Sequence, residues 1–278
     1  MAVMQTDASD PGTAWGGMER NNRPVQIKTF GGFGLRINGN IIGLQIWKSQ
    51  RTYQLLVALV ALGGRNVPMS QLLDLLWPDS EGDKSMQNLE FNLRKLRGLL
   101  QELAANNISG NEIIRLHQGK LSLNDSLCVI DIWLWEDLCR QAGQLRREGD
   151  DLKLAFALEN RACDLLHGDY FAGEADISNS WRNSWRQRCS LWLIQIAHAW
   201  RQCSHAVHND TMRLLEIGLR LDPCSEQLCM HAMNALLDAG HTVDAMRVYY
   251  AWVERIKDEY GLRPSMKATM LANRIVSK

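Results

Sequence analysis

The sequence predicts an α+β domain followed by an all-α domain, and three observations carry that expectation. Short β-prone runs separated by turn signals occupy Val25 to Leu44, and a second pair follows at Ile113 to Leu123. Between them, Gln50 to Leu100 carries apolar residues at spacings of three and four, the period of amphipathic helices. From about Asp131 onward only helical periods remain. A chain of 278 residues is too long for one small core and suits two domains. The expected partition is a disordered amino-terminal tail over 1–24, an α+β domain over 25–124 and a helical domain over 125–278.

The first 24 residues carry Asp7, Asp10 and Glu19 without a basic-then-apolar order, so they do not read as a secretory signal. The richest apolar run, Leu55 to Leu62, is far too short to span a bilayer, and a cytoplasmic protein is expected. Val25 to Phe30 alternates, Gly31-Gly32 breaks it, and Phe33 to Ile37, Asn38-Gly39-Asn40 and Ile41 to Leu44 complete a small antiparallel sheet. Gln50 to Leu62 is a helix stopped by Gly63-Gly64, and Met69 to Trp77 is a second helix closed by Pro78. A polar loop from Asp79 leads to Asp83, the expected N-cap of a third helix over Lys84 to Leu100. Ile113 to Leu116 and Lys120 to Leu123 then form a hairpin around His117-Gln118-Gly119.

The third helix holds the most informative face of the chain. Met86, Leu89, Leu93, Leu96 and Leu100 form its apolar stripe, opposed by Lys84, Gln87, Asn88, Phe91, Arg94 and Lys95. Amides suit adenine, cations suit guanine and phosphate, and an apolar group suits the thymine methyl, so this face has the chemistry of a helix lying in a DNA major groove. Sheet, three helices and hairpin in that order outline a winged helix–turn–helix, with the hairpin placed to reach the adjacent backbone. The same layout also serves α+β modules that dock proteins. Formal net charge is zero, with a mild excess of cations in the front domain, so affinity for DNA has to come from local placement of charge.

In the second half, Glu159 to Leu166 and Trp181 to Trp200 are helical, followed by Met212 to Leu221, Glu226 to Ala239, Thr242 to Glu259 and Pro264 to Val276. Leu237 to Tyr250 reads as a helix-pair repeat, with Gly240 at the turn, Ala245 where helices touch and Tyr249 filling the neighbouring groove. It fits a short tetratricopeptide-like array with a concave binding surface, or a bundle that stabilises the first domain. Seven cysteines, Cys128, Cys139, Cys163, Cys189, Cys203, Cys224 and Cys229, are widely spaced without a CxxC pair, which points to buried free thiols. The crowding of His198, Cys203, His205 and His208 does not fall on one helical face, so no metal is expected. No GxSxG, HExxH or GxxxxGK[ST] pattern is present, and neither catalysis nor a cofactor is expected.

The segments VQIKTFGGFGLRING, SQRTYQLLVALVALGGRNVPMSQLLDLLWPD and QNLEFNLRKLRGLL resemble the OmpR-type winged helix of antibiotic-regulatory-protein (SARP)-class activators. CDLLHGDYFAGE and LEIGLRLDPCSEQLCMHAMNALLDAGHTVDAMRVYYAWVERIKDEYGLRPS resemble the bacterial transcriptional activator domain that follows it in that class. The similarity covers residues 25–277. It implies a sequence-specific activator that occupies direct repeats of double-stranded DNA near a promoter, pairs there as a homodimer and contacts RNA polymerase. Family base and phosphate contacts match Gln87, Asn88, Asn92, Arg94, Lys95 and Arg97, the wing matches Arg115 to Leu123, and Pro78 to Asp83 matches a polymerase-facing loop. The class often has small or β-branched residues where Phe91 stands and an arginine where Gly98 stands.

In the resulting scheme Arg51, Lys84, Arg97, Arg115 and Lys120 hold phosphates, while Gln87, Asn88, Arg94 and Lys95 address base edges. Phe91 lies against a thymine methyl or a sugar, or else packs on the wing or on Trp47; Arg97 has an alternative ion pair with Glu81 or Glu90. The competing function is a tetratricopeptide-like protein-interaction scaffold without DNA binding of its own.

Overall fold

Strand-forming residues near the amino terminus build an open sheet that stays incomplete until the chain returns to it a hundred residues later. The structure, a computed structural model, describes residues 15, 18, 21–79, 82–104, 108–174, 179–201 and 208–276. β1 (Val25–Lys28) pairs antiparallel with β2 (Gly34–Ile37), and β2 with β3 (Asn40–Ile41). Alternation in β2 buries Leu35 and Ile37 and leaves Gly34 and Arg36 half-buried. Past Ile41 the expected strand gives way to a single 3₁₀ turn, Leu44–Ile46. Most of the expected tail lies outside the described residues, but Trp15 and Met18 are buried, and the Arg36 guanidinium stacks 4.3 Å from the Trp15 ring.

Three helices follow: α1 (Gln50–Ala61), α2 (Met69–Leu76) and α3 (Gly82–Leu103), with the short strand β4 (Val67–Pro68) entering α2. α3 starts at Gly82, so Asp83 sits in its first turn rather than at the N-cap, where its charge still favours the helix dipole. After α3 comes α4 (Gly110–Ile113), one turn closed by a capping box of Ser109 and Glu112. α4 runs directly into β5 (Ile114–His117), which turns into β6 (Lys120–Leu123). Gln118 and Gly119 both have positive φ, 47° and 71°, the two-residue I′ turn whose twist matches antiparallel strands. β4 joins the outer side of β6, so the wing is a three-stranded sheet, β4-β6-β5.

β7 (Cys128–Ile130) returns to pair in parallel with β1, giving the first sheet the order β3-β2-β1-β7. Asp131 locks this junction at the start of α5 (Asp131–Glu148). Thr29 N and Phe30 N donate to Oδ2 at 2.7 and 2.9 Å, and Thr29 Oγ1 and Ile132 N donate to Oδ1 at 2.6 and 2.8 Å. The first unit therefore extends beyond the expected boundary at 124, to Trp135, and also takes in residues 171–174. Phe171 N donates to Thr29 O at 2.8 Å, its ring stacks on Phe33, and the Tyr53 hydroxyl donates to Glu174 at 2.5 Å.

Considered by itself, the second unit is built from helices among its described residues. It comprises the rest of α5 together with α6 (Leu152–Leu165), α7 (Asn179–Arg201), α8 (His208–Leu221), α9 (Glu226–Asp238), α10 (Thr242–Tyr260) and α11 (Met266–Val276). From α7 to α10 each helix packs on the next. Gly240 has φ of 80° between α9 and α10, Ala245 is fully buried, and Tyr249 and Trp252 fill the core with Met233 and Ala268. Nearer its start, buried Glu159 accepts from Arg146 Nε and Nη2 at 2.5 and 2.6 Å and from Trp200 Nε1 at 2.5 Å. A carboxylate there is tolerated because both oxygens have charged or N–H donors.

Cys128, Cys163, Cys189 and Cys229 are buried, and burial pushes their thiols up to about 12. They are protonated at neutral pH and poor nucleophiles. Cys224 is only half-buried, and Cys203 and His205 lie outside the described residues. Among the described residues no group of three or more His, Cys, Asp or Glu is placed to hold a metal ion. No described helix is long and apolar enough to cross a membrane.

Candidate nucleic-acid interface

α3 positions the candidate site because its apolar stripe fixes its rotation. Leu89, Leu93, Leu96 and Leu100 are buried, and the helix packs on α1 and α4. The opposite face follows at helical spacing: Lys84, Gln87, Phe91, Arg94 and Lys95 are exposed, and Asn88 is half-buried. Phe91 is 52% exposed, with Lys95 Nζ 4.3 Å from its ring centroid. Trp47, one of the alternative partners for Phe91, sits edge-on against Tyr53. On the wing, Arg115 and Lys120 are exposed, as is the turn between them. A depression of about 540 Å³ separates helix and wing, lined by Glu90, Arg94, Gln101, Asn111 and Leu116 among others.

Two expected contact residues are corrected. Asn92 is only 7% exposed, because it lies on the flank of the buried stripe between Leu89 and Leu96. Its Nδ2 donates to Asn88 O at 2.8 Å and its Oδ1 accepts from Thr52 Oγ1 at 3.2 Å, tying α3 to α1. Arg97 is half-buried and turned to the protein rather than paired with Glu90, and Glu81 lies outside the described residues. Arg97 Nε and Nη2 donate to Ile114 O at 3.1 and 2.7 Å, which fastens the first residue of the wing to α3. Burial lowers its guanidinium below the ordinary arginine value without threatening its charge. Arg97→Ala is expected to destabilise the protein by about 1.5–3 kcal/mol, the range for hydrogen bonds that involve a charged group, as read from urea denaturation. Arg51 is exposed, but its Nη1 donates to Gln54 Oε1 and to Leu76 O in the last turn of α2. It thus supports the helix–turn–helix as well as lying near its surface.

Gln101 and Asn111 were not legible as part of this surface, whereas Leu116 falls within the expected wing. α4 is a single turn, too short to show a period, and only its packing on α3 brings Asn111 beside Arg94.

Residues 130–276 match the family model described as the bacterial transcriptional activator domain. No curated protein sequence matches the chain. Among solved structures it is similar to Mycobacterium tuberculosis EmbR in complex with a low affinity phosphopeptide, with a TM-score of 0.66 and 18% identity. The match covers 92% of this chain and 65% of that one, so this chain spans just under two thirds of the EmbR structure. At that identity the likeness speaks for the fold, a winged helix–turn–helix unit followed by a tetratricopeptide-like helical unit. Since the family model covers more than half of the chain, the protein belongs to the bacterial transcriptional activator domain family.

Proposed function

We propose that this transcriptional regulator binds duplex DNA sequence-specifically through α3 and the wing. The observation that carries the reading is the exposed face of α3, where Lys84, Gln87, Phe91, Arg94 and Lys95 follow one another at helical spacing. α3 enters the major groove. Gln87, Asn88, Arg94 and Lys95 address base edges, and each good bidentate pair gives about 1–3 kcal/mol of discrimination. Lys84, Arg115, Lys120 and the outer part of Arg51 hold phosphates and set the register. Two copies occupy direct repeats near a promoter, and the loop from Pro78 to Asp83 contacts RNA polymerase, so the protein acts as an activator in the cytoplasm. The class resemblance supports these last points.

Gel-shift titration of the full chain on the DNA upstream of its own gene and its neighbours tests the proposal. Arg94→Ala with Lys95→Ala is expected to weaken specific binding on the order of 10- to 100-fold, following from one or two lost base contacts. Log affinity should fall with log salt, and Lys84→Ala should reduce the slope by about one, because each neutralised phosphate releases condensed counterions. A salt-independent affinity, or a double variant that binds like the parent, would overturn the assignment. The exposed Val243, Tyr250, Met266 and Met270 of α10 and α11 favour the scaffold as the second reading. That reading requires no retention on DNA at physiological salt.

A further inference from the structure

We infer that Phe91 and Lys95 act as one reader of the 5-methyl group of a thymine in the major groove, an inference that rests on the DNA-binding reading above. Phe91 is the apolar island of the α3 face, flanked at helical spacing by Gln87, Asn88, Arg94 and Lys95. Its ring is 52% exposed and is held by Lys95, whose ammonium stands 4.3 Å from the centroid. Residues four apart on a helix are neighbours, so the cation–π contact is built into α3 and biases the ring toward this orientation before any ligand arrives. The cation lies over the ring, and about half of the residue remains open to whatever the helix meets.

Of the four bases only thymine presents a methyl group in the major groove, at C5 beside its O4 acceptor; the edges of the others are recognised through donors and acceptors. A phenyl ring against cytosine N4 or guanine O6 would desolvate that atom without replacing its hydrogen bond. The ring therefore favours a methyl and penalises the alternatives. The Lys95 ammonium keeps its donors for the guanine or phosphate beside that thymine. Position 91 thus sets specificity through a methyl group that no polar residue on this face can recognise.

The test uses the full chain and a duplex that it enriches from a randomised library. Each thymine is replaced in turn by deoxyuridine, which pairs identically and lacks only the methyl. One thymine in each half-site is expected to lose about four-fold in affinity on replacement, the worth of one buried methyl group. In Phe91→Ala, whose side chain is exposed and not part of the core, the thymine and uracil duplexes should bind equally. If no position responds to methyl removal in the parent protein, or if Phe91→Ala keeps the response, the inference is overturned while DNA binding stands. If no duplex is enriched at all, both fall.

Discussion

Asp131→Ala is expected to cost about 4 kcal/mol near pH 5, because it strips the acceptor from three backbone N–H groups and one hydroxyl that are buried together. Those donors belong to Thr29, Phe30 and Ile132, so the loss opens the seam between the end of β1 and the start of α5. Asp131→Asn should cost less: its carbonyl still serves Thr29 N and Phe30 N, but its NH₂ faces the N–H of Ile132. The pH dependence has a definite sign. Full burial pushes the Asp131 carboxyl up to about 6, against hydrogen bonds from Thr29, Phe30 and Ile132 that pull it down. The folded chain therefore holds this proton where the unfolded chain has released it. The stabilising contribution is complete below about pH 4 and is lost as pH rises through about 6, an effect on the order of 2–3 kcal/mol. Urea denaturation at pH 4.5, 5.5 and 7 should show the gap between parent and Asp131→Asn narrowing as pH rises. A gap that widens would contradict the assignment.

Gly110→Ala should be nearly as damaging and should reach the candidate site as well. A Cβ there would stand 2.2 Å from Arg97 O and 2.6 Å from Arg97 C. Both are backbone atoms of a helix, so nothing flexible can yield. α4 must separate from α3, and because α4 continues into β5 the wing moves with it. A loss of about 3 kcal/mol is expected, at the upper end for overpacking, together with weaker DNA binding. Gly98→Ala is the control. It lies in α3, next to Arg97, with nothing within 4 Å of its added Cβ, and should stabilise the fold by up to about 1 kcal/mol. Thermal melts of the two variants in opposite directions would confirm that close approach, not helix propensity, makes Gly110 necessary.

These two residues also mark where the sequence stopped being readable. The long helices, the wing hairpin and the turn at Gly240 were legible because period and turn chemistry are local signals. β7 was not: three residues, Cys128 to Ile130, carry no alternation, and their partner β1 lies a hundred positions away. Gly110 gave no signal either, since its reason is a contact with a helix already completed. Within the candidate site, rotation of α3 was readable from Leu89, Leu93, Leu96 and Leu100, which correctly put Arg94 and Lys95 outside. Asn92, which is buried, and Arg97, which turns to the wing, were harder to place because both stand at the margin of that stripe. Helical angle alone does not decide a margin; Thr52 and the Ile114 carbonyl do.

The late partners of β1 also bear on how the protein is made. Its amino-terminal strand leaves the ribosome early, yet its parallel neighbour emerges only with Cys128 to Ile130, and the Phe171 amide that bonds Thr29 O comes later still. At ordinary translation speeds of about 5–20 residues per second, that strand waits on the order of ten seconds with one edge unpaired. Maturation of the front half is therefore expected to trail synthesis, and nascent chains stalled before residue 131 should be far more sensitive to protease than those released past residue 174.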